Sequence, residues 1–307
     1  MTSTATEGHR PDRQDGTIRL IYPQWQGADI IRWIPEVKDE AEAARGYWLG
    51  AQLLEMLAPE NARQETCVVP VSGEYTARKV TDGVLDKDAL LSQTRCALQL
   101  LRVKQPRRVI TLGGECAVSV VPFTYLAERY GGDVAMIWID AHPDITLPGD
   151  VYAGYHAMAV TACMGKGDKD LMAELPAVIP ASNILLVGLR DWERNEIKVR
   201  QQEYGISHLA PEDVSADSRK ILDWLRQCGA SKVVIHFDLD VLDPAEIIAA
   251  VGVVPGGLKM NEVVRIINDI TEERDVVGLT VAEPMPRTAI RLRQMLGAIR
   301  LFGNDAP

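Results

Sequence analysis

The sequence predicts an α/β protein in which a mainly parallel sheet is covered by helices. Short apolar, β-branched runs alternate with longer segments of helical period from about residue 17 to about residue 302. Most of the short runs are apolar throughout, which suits strands buried between two helical layers better than strands with one wet face. No internal repeat, low-complexity tract or Pro/Gly-rich linker divides the alternation. Residues 17–307 are therefore expected to form one domain behind a loose polar tail, residues 1–16.

The elements follow in order. Ile18–Tyr22 is the first apolar run, and the helical period of Glu40–Leu57 comes after it. Thr66–Pro70 is a second short run and is followed by the helical segment Lys87–Val103. Arg108–Leu112 leads into helix Ala117–Tyr130, and Val134–Asp140 stays apolar until its terminal acid. Ile184–Gly188 precedes helices Arg194–Tyr204 and Ser215–Cys228. Lys232–Asp238, helix Met260–Ile270, strand Val276–Ala282 and helix Ala289–Phe302 complete the pattern.

Composition narrows the function. The formal charge is −10, from 33 Lys and Arg against 43 Asp and Glu. So acidic a chain lacks the cationic face that nucleic acids and anionic membranes require, so neither is expected as a partner. No apolar run approaches the roughly 18 residues of a membrane span. Five cysteines, widely spaced and without a CxxC pair, make a poor disulfide framework and suit a reducing, cytoplasmic setting.

In open parallel sheets, ligands bind where the carboxyl ends of the strands meet the loops. Asp140-Ala-His142-Pro-Asp144 stands at one such end, so Asp140 and His142 leave the extended chain on one side and Asp144 returns from the loop. Phe237-Asp238-Leu-Asp240-Val-Leu-Asp243-Pro244 repeats the device at another. Either segment alone could cap a strand or begin a phosphatase of the haloacid-dehalogenase type; together they argue for a shared site. Four carboxylates this close repel one another unless cations neutralise them, so metal binding is the economical reading. Oxygen-rich ligation with one imidazole suits Mn2+ or a similar divalent ion better than structural zinc. Gly113-Gly114-Glu115-Cys116 marks a third strand end, where paired glycines are expected to permit a tight turn that aims Cys116 at the same site.

These three segments, in this order, resemble the ureohydrolase superfamily of arginases, agmatinases and formiminoglutamases over roughly residues 108–285. The resemblance implies an arginase-like three-layer α/β/α domain with two divalent metal ions, Mn2+ being the expected one. By position it implies that Asp140 and Asp238 bridge both ions, that Cys116 and Asp144 complete one, and that His142 and Asp240 complete the other. Asp243 falls outside that ligand pattern and is read as organising the turn before Pro244. The implied activity is amidinohydrolysis: a small cationic guanidino or amidino substrate loses urea, or a urea derivative, by hydrolysis of a C–N bond. Asp144 would accept a hydrogen bond from the attacking hydroxide, His156 would shuttle a proton, and Glu283 would pair with the guanidinium. Glu193 and Glu196 are the implied contacts to the far end of the substrate, and homo-oligomers are common in the superfamily. In the loop after Asp144 only Thr146 remains as an obvious hydroxyl donor, with Tyr152 and Tyr155 as new polar aromatics, which points away from plain arginine.

The chain also departs from that pattern. Cys116 stands where a histidine is usual, and four carboxylates with a thiolate bring a formal −5 against +4 for two dications. The surplus makes a coordinated water harder to ionise and the pocket more attractive to a cation. A cysteine here resembles the N-hydroxyarginine hydrolase branch of the superfamily, found in D-cycloserine biosynthesis. His236 shares a strand face with Asp238, and two roles stay open for it: a hydrogen bond to a ligand, or a satisfied core histidine. The cysteine exchange also motivates a second reading, a metal-binding member without catalysis that serves assembly or regulation.

Overall fold

The computed structural model describes residues 16–299 and 301, so the tail expected over residues 1–16 lies, but for Gly16, outside the described residues. The strands are β1 (Thr17–Tyr22), β2 (Glu65–Val68), β3 (Val80–Thr81), β4 (Val84–Leu85), β5 (Arg108–Gly113), β6 (Val134–Ile139), β7 (Ile184–Val187), β8 (Ser207–Leu209), β9 (Lys232–Asp238) and β10 (Asp275–Ala282). Eight of them form one sheet in the order β2-β1-β5-β10-β9-β6-β7-β8, with every neighbour pair parallel; β3 and β4 make a separate antiparallel hairpin.

Two-sided burial explains why the strands read as unbroken apolar runs. All of β6 is buried, and its residues alternate between two cores. Val134, Met136 and Trp138 enter one, where Leu90 and Leu101 of helix Lys87–Lys104 and Phe123 and Leu126 of helix Val120–Arg129 cover the sheet. Ala135, Ile137 and Ile139 enter the other, against Ile221 and Leu225 of helix Arg219–Cys228 and Val263, Ile266 and Ile270 of helix Met260–Glu273. The result is the three-layer α/β/α arrangement. Among the described residues no helix is long and apolar enough to cross a membrane.

The seven expected strands are all present, their ends within two residues of expectation. β8 gave no signal because it is short and two of its three residues, Ser207 and His208, are exposed. The expected helix Glu40–Leu57 is broken at Arg45, which leaves helical geometry (ψ 7°) and sends its guanidinium to the carbonyls of Ala41 and Gly73. The helix expected from Ala117 opens as a 3-10 turn, Cys116–Ser119. That expected from Ser215 starts at Arg219, and that expected to end at Phe302, outside the described residues, spans Arg287–Gly297. What matters for the site is that β5, β10, β9 and β6 are consecutive at the centre of the sheet, so the loops beyond their carboxyl ends converge.

Candidate metal centre

The segment after β5 delivers Cys116. Neither Gly113 nor Gly114 takes a left-handed backbone, so the tight turn expected of the pair is not what requires glycine. Close approach requires it: a methyl on Gly114 would overlap the Gln24 carbonyl oxygen and lie 2.8 Å from its carbon. Gly114 N–H donates to Tyr22 O (2.9 Å) and Glu115 N–H to Gln24 O (3.1 Å), which locks the segment onto the loop after β1. The fully buried Glu115 carboxylate accepts from Ala117 N–H (2.7 Å) and from Gln24 Nε2, and burial pushes its pKa up to about 7. Cys116 follows with Sγ 3.1 Å from Asp238 Oδ2 and 3.2 Å from Glu283 Oε1.

The loops after β6 and β9 bring the acids. Asp140 accepts from Trp138 Nε1–H (2.9 Å) and from His142 N–H (2.6 Å), and Asp240 N–H donates to Asp238 Oδ1 (2.7 Å). His142 Nδ1 lies 2.9 Å from Asp240 Oδ2 and 3.5 Å from Asp140 Oδ1. Asp144 holds a left-handed backbone (φ 47°), and its Oδ2 is buried without a hydrogen bond. Burial and the neighbouring acids push Asp140, Asp144 and Asp238 upward, and burial with Asp144, Glu283 and Asp238 does the same to the Cys116 thiol. Asp240 goes the other way: burial opposes its charge, but the adjacent His142 holds it low. His236, fully buried behind the acids, is driven down to about 3 by burial.

Such a donor set is suited to divalent cations. Cys116, Asp140, His236 and Asp238 offer ligand atoms all within 4.8 Å of one another, and so do Asp140, His142 and Asp240. Asp140 belongs to both groups, and the orphaned Asp144 Oδ2 adds one more free carboxylate oxygen. Mutual repulsion of these buried acids is relieved by positive charge between them.

The cluster forms part of the wall of a cavity of about 670 Å³. Glu283, at the end of β10, is also left-handed (φ 64°) and accepts from Cys116 N–H (3.1 Å) and Tyr47 O–H. His156 Nδ1 is 3.3 Å from Glu283 Oε1, and its Nε2 is 2.7 Å from Tyr152 Oη, which itself accepts Asp29 N–H (2.9 Å). Thr146, Tyr152 and Glu193 line the cavity with them. The Thr146 hydroxyl donates to Ala157 O (2.8 Å), so it faces the cavity as an acceptor. Glu196 is not brought there. It sits in the first turn of helix Asn195–Tyr204 with a side chain 59% exposed, 3.9 Å from Arg194.

Asp191 and Tyr47 are among the cavity residues that went unread in the sequence. Asp191, 3.9 Å from His142 Nε2, stands two residues before Glu193 in the loop after β7, where an acid just past a strand end was the available signal. Tyr47 gave none: it is a buried aromatic in helix Gly46–Leu57, indistinguishable from core.

Fold and cluster together define an α/β protein with an acid-rich candidate metal centre at the ends of its central strands. The model of the arginase family matches residues 61–302, and the chain belongs to that family. Mitochondrial arginase 1 of Arabidopsis thaliana is 28% identical over 218 residues, covering 70% of this chain and 58% of that protein. An arginase of Staphylococcus aureus strain MRSA252 is 26% identical over 192 residues, 60% of this chain and 62% of its own. The matches thus span less than two thirds of these relatives. Among solved structures, the arginase of Entamoeba histolytica in complex with L-ornithine superposes with a TM-score of 0.70 at 17% identity, over 88% of this chain and 91% of that one. Bacillus caldovelox arginase gives 0.68 at 19%, over 92% and 97%. These two likenesses establish the fold.

Proposed function

We propose that this protein is a binuclear-metal amidinohydrolase that cleaves a C–N bond of a small guanidino or amidino compound, releasing urea or a urea derivative and an amine. One observation carries the reading: acids, an imidazole and a thiol from three strand ends meet on the wall of the cavity that also holds Glu283 and His156. Cys116, Asp140, His142, Asp144, Asp238 and Asp240 would hold two divalent ions, Mn2+ being the expected one, and such a pair supplies Lewis-acid activation of water at neutral pH.

The chain's own residues do the rest. Glu283 presents a carboxylate, fixed by Tyr47 and Cys116 N–H, to the cationic head of the substrate. Tyr152 Oη, 2.7 Å from Nε2, and Glu283 Oε1, 3.3 Å from Nδ1, hold the His156 ring by both of its nitrogens, and Asp29 N–H in turn fixes Tyr152. His156 is thereby oriented as a proton carrier for the leaving amine. Asp144, besides holding metal, is placed to accept a hydrogen bond from the attacking water, since its Oδ2 makes none within the protein. Glu193 and Asp191 line the cavity beside Arg32 and Arg194, and Arg194 lies 3.7 Å from Glu193, so it is Glu283 rather than the charge of the outer wall that suits a cationic compound. The setting is read as cytoplasmic, where the free cysteines persist, and residues 17–307 as one catalytic domain.

The test is metal analysis followed by a urea-release screen over arginine, N-hydroxyarginine, agmatine, guanidinobutyrate and formiminoglutamate. Two equivalents of metal with turnover of at least one compound is the expected result. Stoichiometric metal without turnover across the panel would replace this reading with that of a non-catalytic, metal-binding subunit.

A further inference from the structure

His236 has no part in the roles assigned so far. It projects from β9 on the same face as Asp238 and is fully buried. Its ring lies flat against Trp138, centroids 3.6 Å apart and planes within 9°, which fixes where its nitrogens point. Nδ1 is 2.8 Å from Ser119 Oγ. Nε2 makes no hydrogen bond. Its distance to Asp140 Oδ2, 4.0 Å, is too long for one, and that oxygen already accepts Trp138 Nε1–H. A core histidine is expected to satisfy both nitrogens, so an orphaned Nε2 requires a reason.

The surroundings of Nε2 supply it. Cys116 Sγ and one oxygen each of Asp140 and Asp238 complete a group in which every atom lies within 4.8 Å of every other. Two ligands of a single ion, each about 2.0–2.3 Å from it, stand at most about 4.6 Å apart. The 4.0 Å gap to Asp140 Oδ2 falls within that limit.

Resting on the metal reading above, we propose that His236 is itself a metal ligand: Nε2 joins Cys116, Asp140 and Asp238 in holding one of the two ions. Nδ1–H then donates to Ser119 Oγ, fixing the tautomer that leaves the Nε2 lone pair free, as ligating histidines generally require. Ser119 closes the 3-10 turn that Cys116 opens, so one turn supplies the thiol and orients the imidazole. The ion held there would have a sulfur and a nitrogen among its ligands, and its neighbour a nitrogen from His142.

The test reads metal rather than turnover. The Co2+-loaded wild-type protein is examined by X-ray absorption, in which imidazole rings give a distinctive outer-shell scattering. Two rings per two ions, from His142 and His236, are expected; one ring per two ions overturns the proposal, whether or not any variant folds. Metal counting on His236→Ser and His236→Ala, with folding checked by circular dichroism, should give one ion per chain in place of two, or at least tenfold weaker retention of the second. Free imidazole should restore the second ion to His236→Ala. Variants that keep both ions with unchanged affinity sink the idea. A wild-type protein that binds no metal at all would fail the underlying reading instead.

Discussion

Adding one methyl group at Gly114 separates close approach from backbone flexibility as the reason for glycine there. The Cβ of Gly114→Ala would overlap Gln24 O and stand 2.8 Å and 3.1 Å from its C and N. Nonbonded carbons settle at about 3.5–4.0 Å, so the two loops must separate by about 1 Å. That separation breaks the buried hydrogen bonds Gly114 N–H to Tyr22 O and Glu115 N–H to Gln24 O. Losing them and straining the packing costs about 3–5 kcal/mol together. Gly113→Ala overlaps Val118 Cγ2 and stands 3.3 Å from its Cβ and 3.5 Å from Val281 O, a clash with one side chain rather than with backbone, and should cost about 1–3 kcal/mol, within the overpacking range. Gly297→Ala meets nothing within 4 Å and should be neutral or slightly stabilising. Urea unfolding of the three variants measures the series. A Gly114→Ala midpoint within 1 kcal/mol of wild type, or a larger loss at Gly113, would refute the reasoning. Because Cys116 lies two residues on, Gly114→Ala should also retain less metal.

Other outcomes follow from the same geometry. Lys87 Nζ is 2.7 Å from the carboxylates of Asp82, Asp168 and Asp170, and both Lys87 and Asp168 are buried. Lys87→Met leaves the Asp168 charge uncompensated and should cost about 3–5 kcal/mol in urea unfolding; a loss below 1 would contradict it. Burial opposes the Lys87 charge, but hydrogen bonds to Asp168, Asp170 and Asp82 raise its pKa above the ordinary value. Its contribution is therefore full below about pH 10.4 and is lost as pH rises through the raised value. The wild-type advantage over Lys87→Met should shrink above that pH. Cys116 should react more slowly with thiol reagents in the metal-loaded protein than after chelation; equal rates would remove it from the metal. His156→Asn should lower kcat with metal content unchanged, and full activity would make His156 a bystander.

The acids were legible because a strand has period two: Asp140 with His142 and Asp238 with Asp240 are written two residues apart at the ends of apolar runs. Glu283, the residue just past β10, was reached through the family resemblance rather than through spacing. Tyr47 was not, since its meaning lies in a contact with a residue 236 positions away. Glu196 misled because its place depends on helix phase: Asn195–Tyr204 starts so that Glu196 faces solvent. The Gly113-Gly114 pair was noticed for the wrong reason, because the carbonyl that excludes a side chain comes from the loop after β1. His236 stayed open between two roles until its unpartnered nitrogen was visible.

The position of β10 bears on how the site is held together. It is the last strand in the chain, yet it sits at the middle of the sheet between β5 and β9. Every sheet hydrogen bond between the group β2-β1-β5 and the group β9-β6-β7-β8 runs through it. Cys116 follows a strand on one side of β10, and the acids at residues 140–144 and 238–240 follow strands on the other. The metal-ligand cluster thus depends on a strand that carries none of its ligands, and a chain truncated before residue 275 is expected to keep every proposed ligand and lose the site.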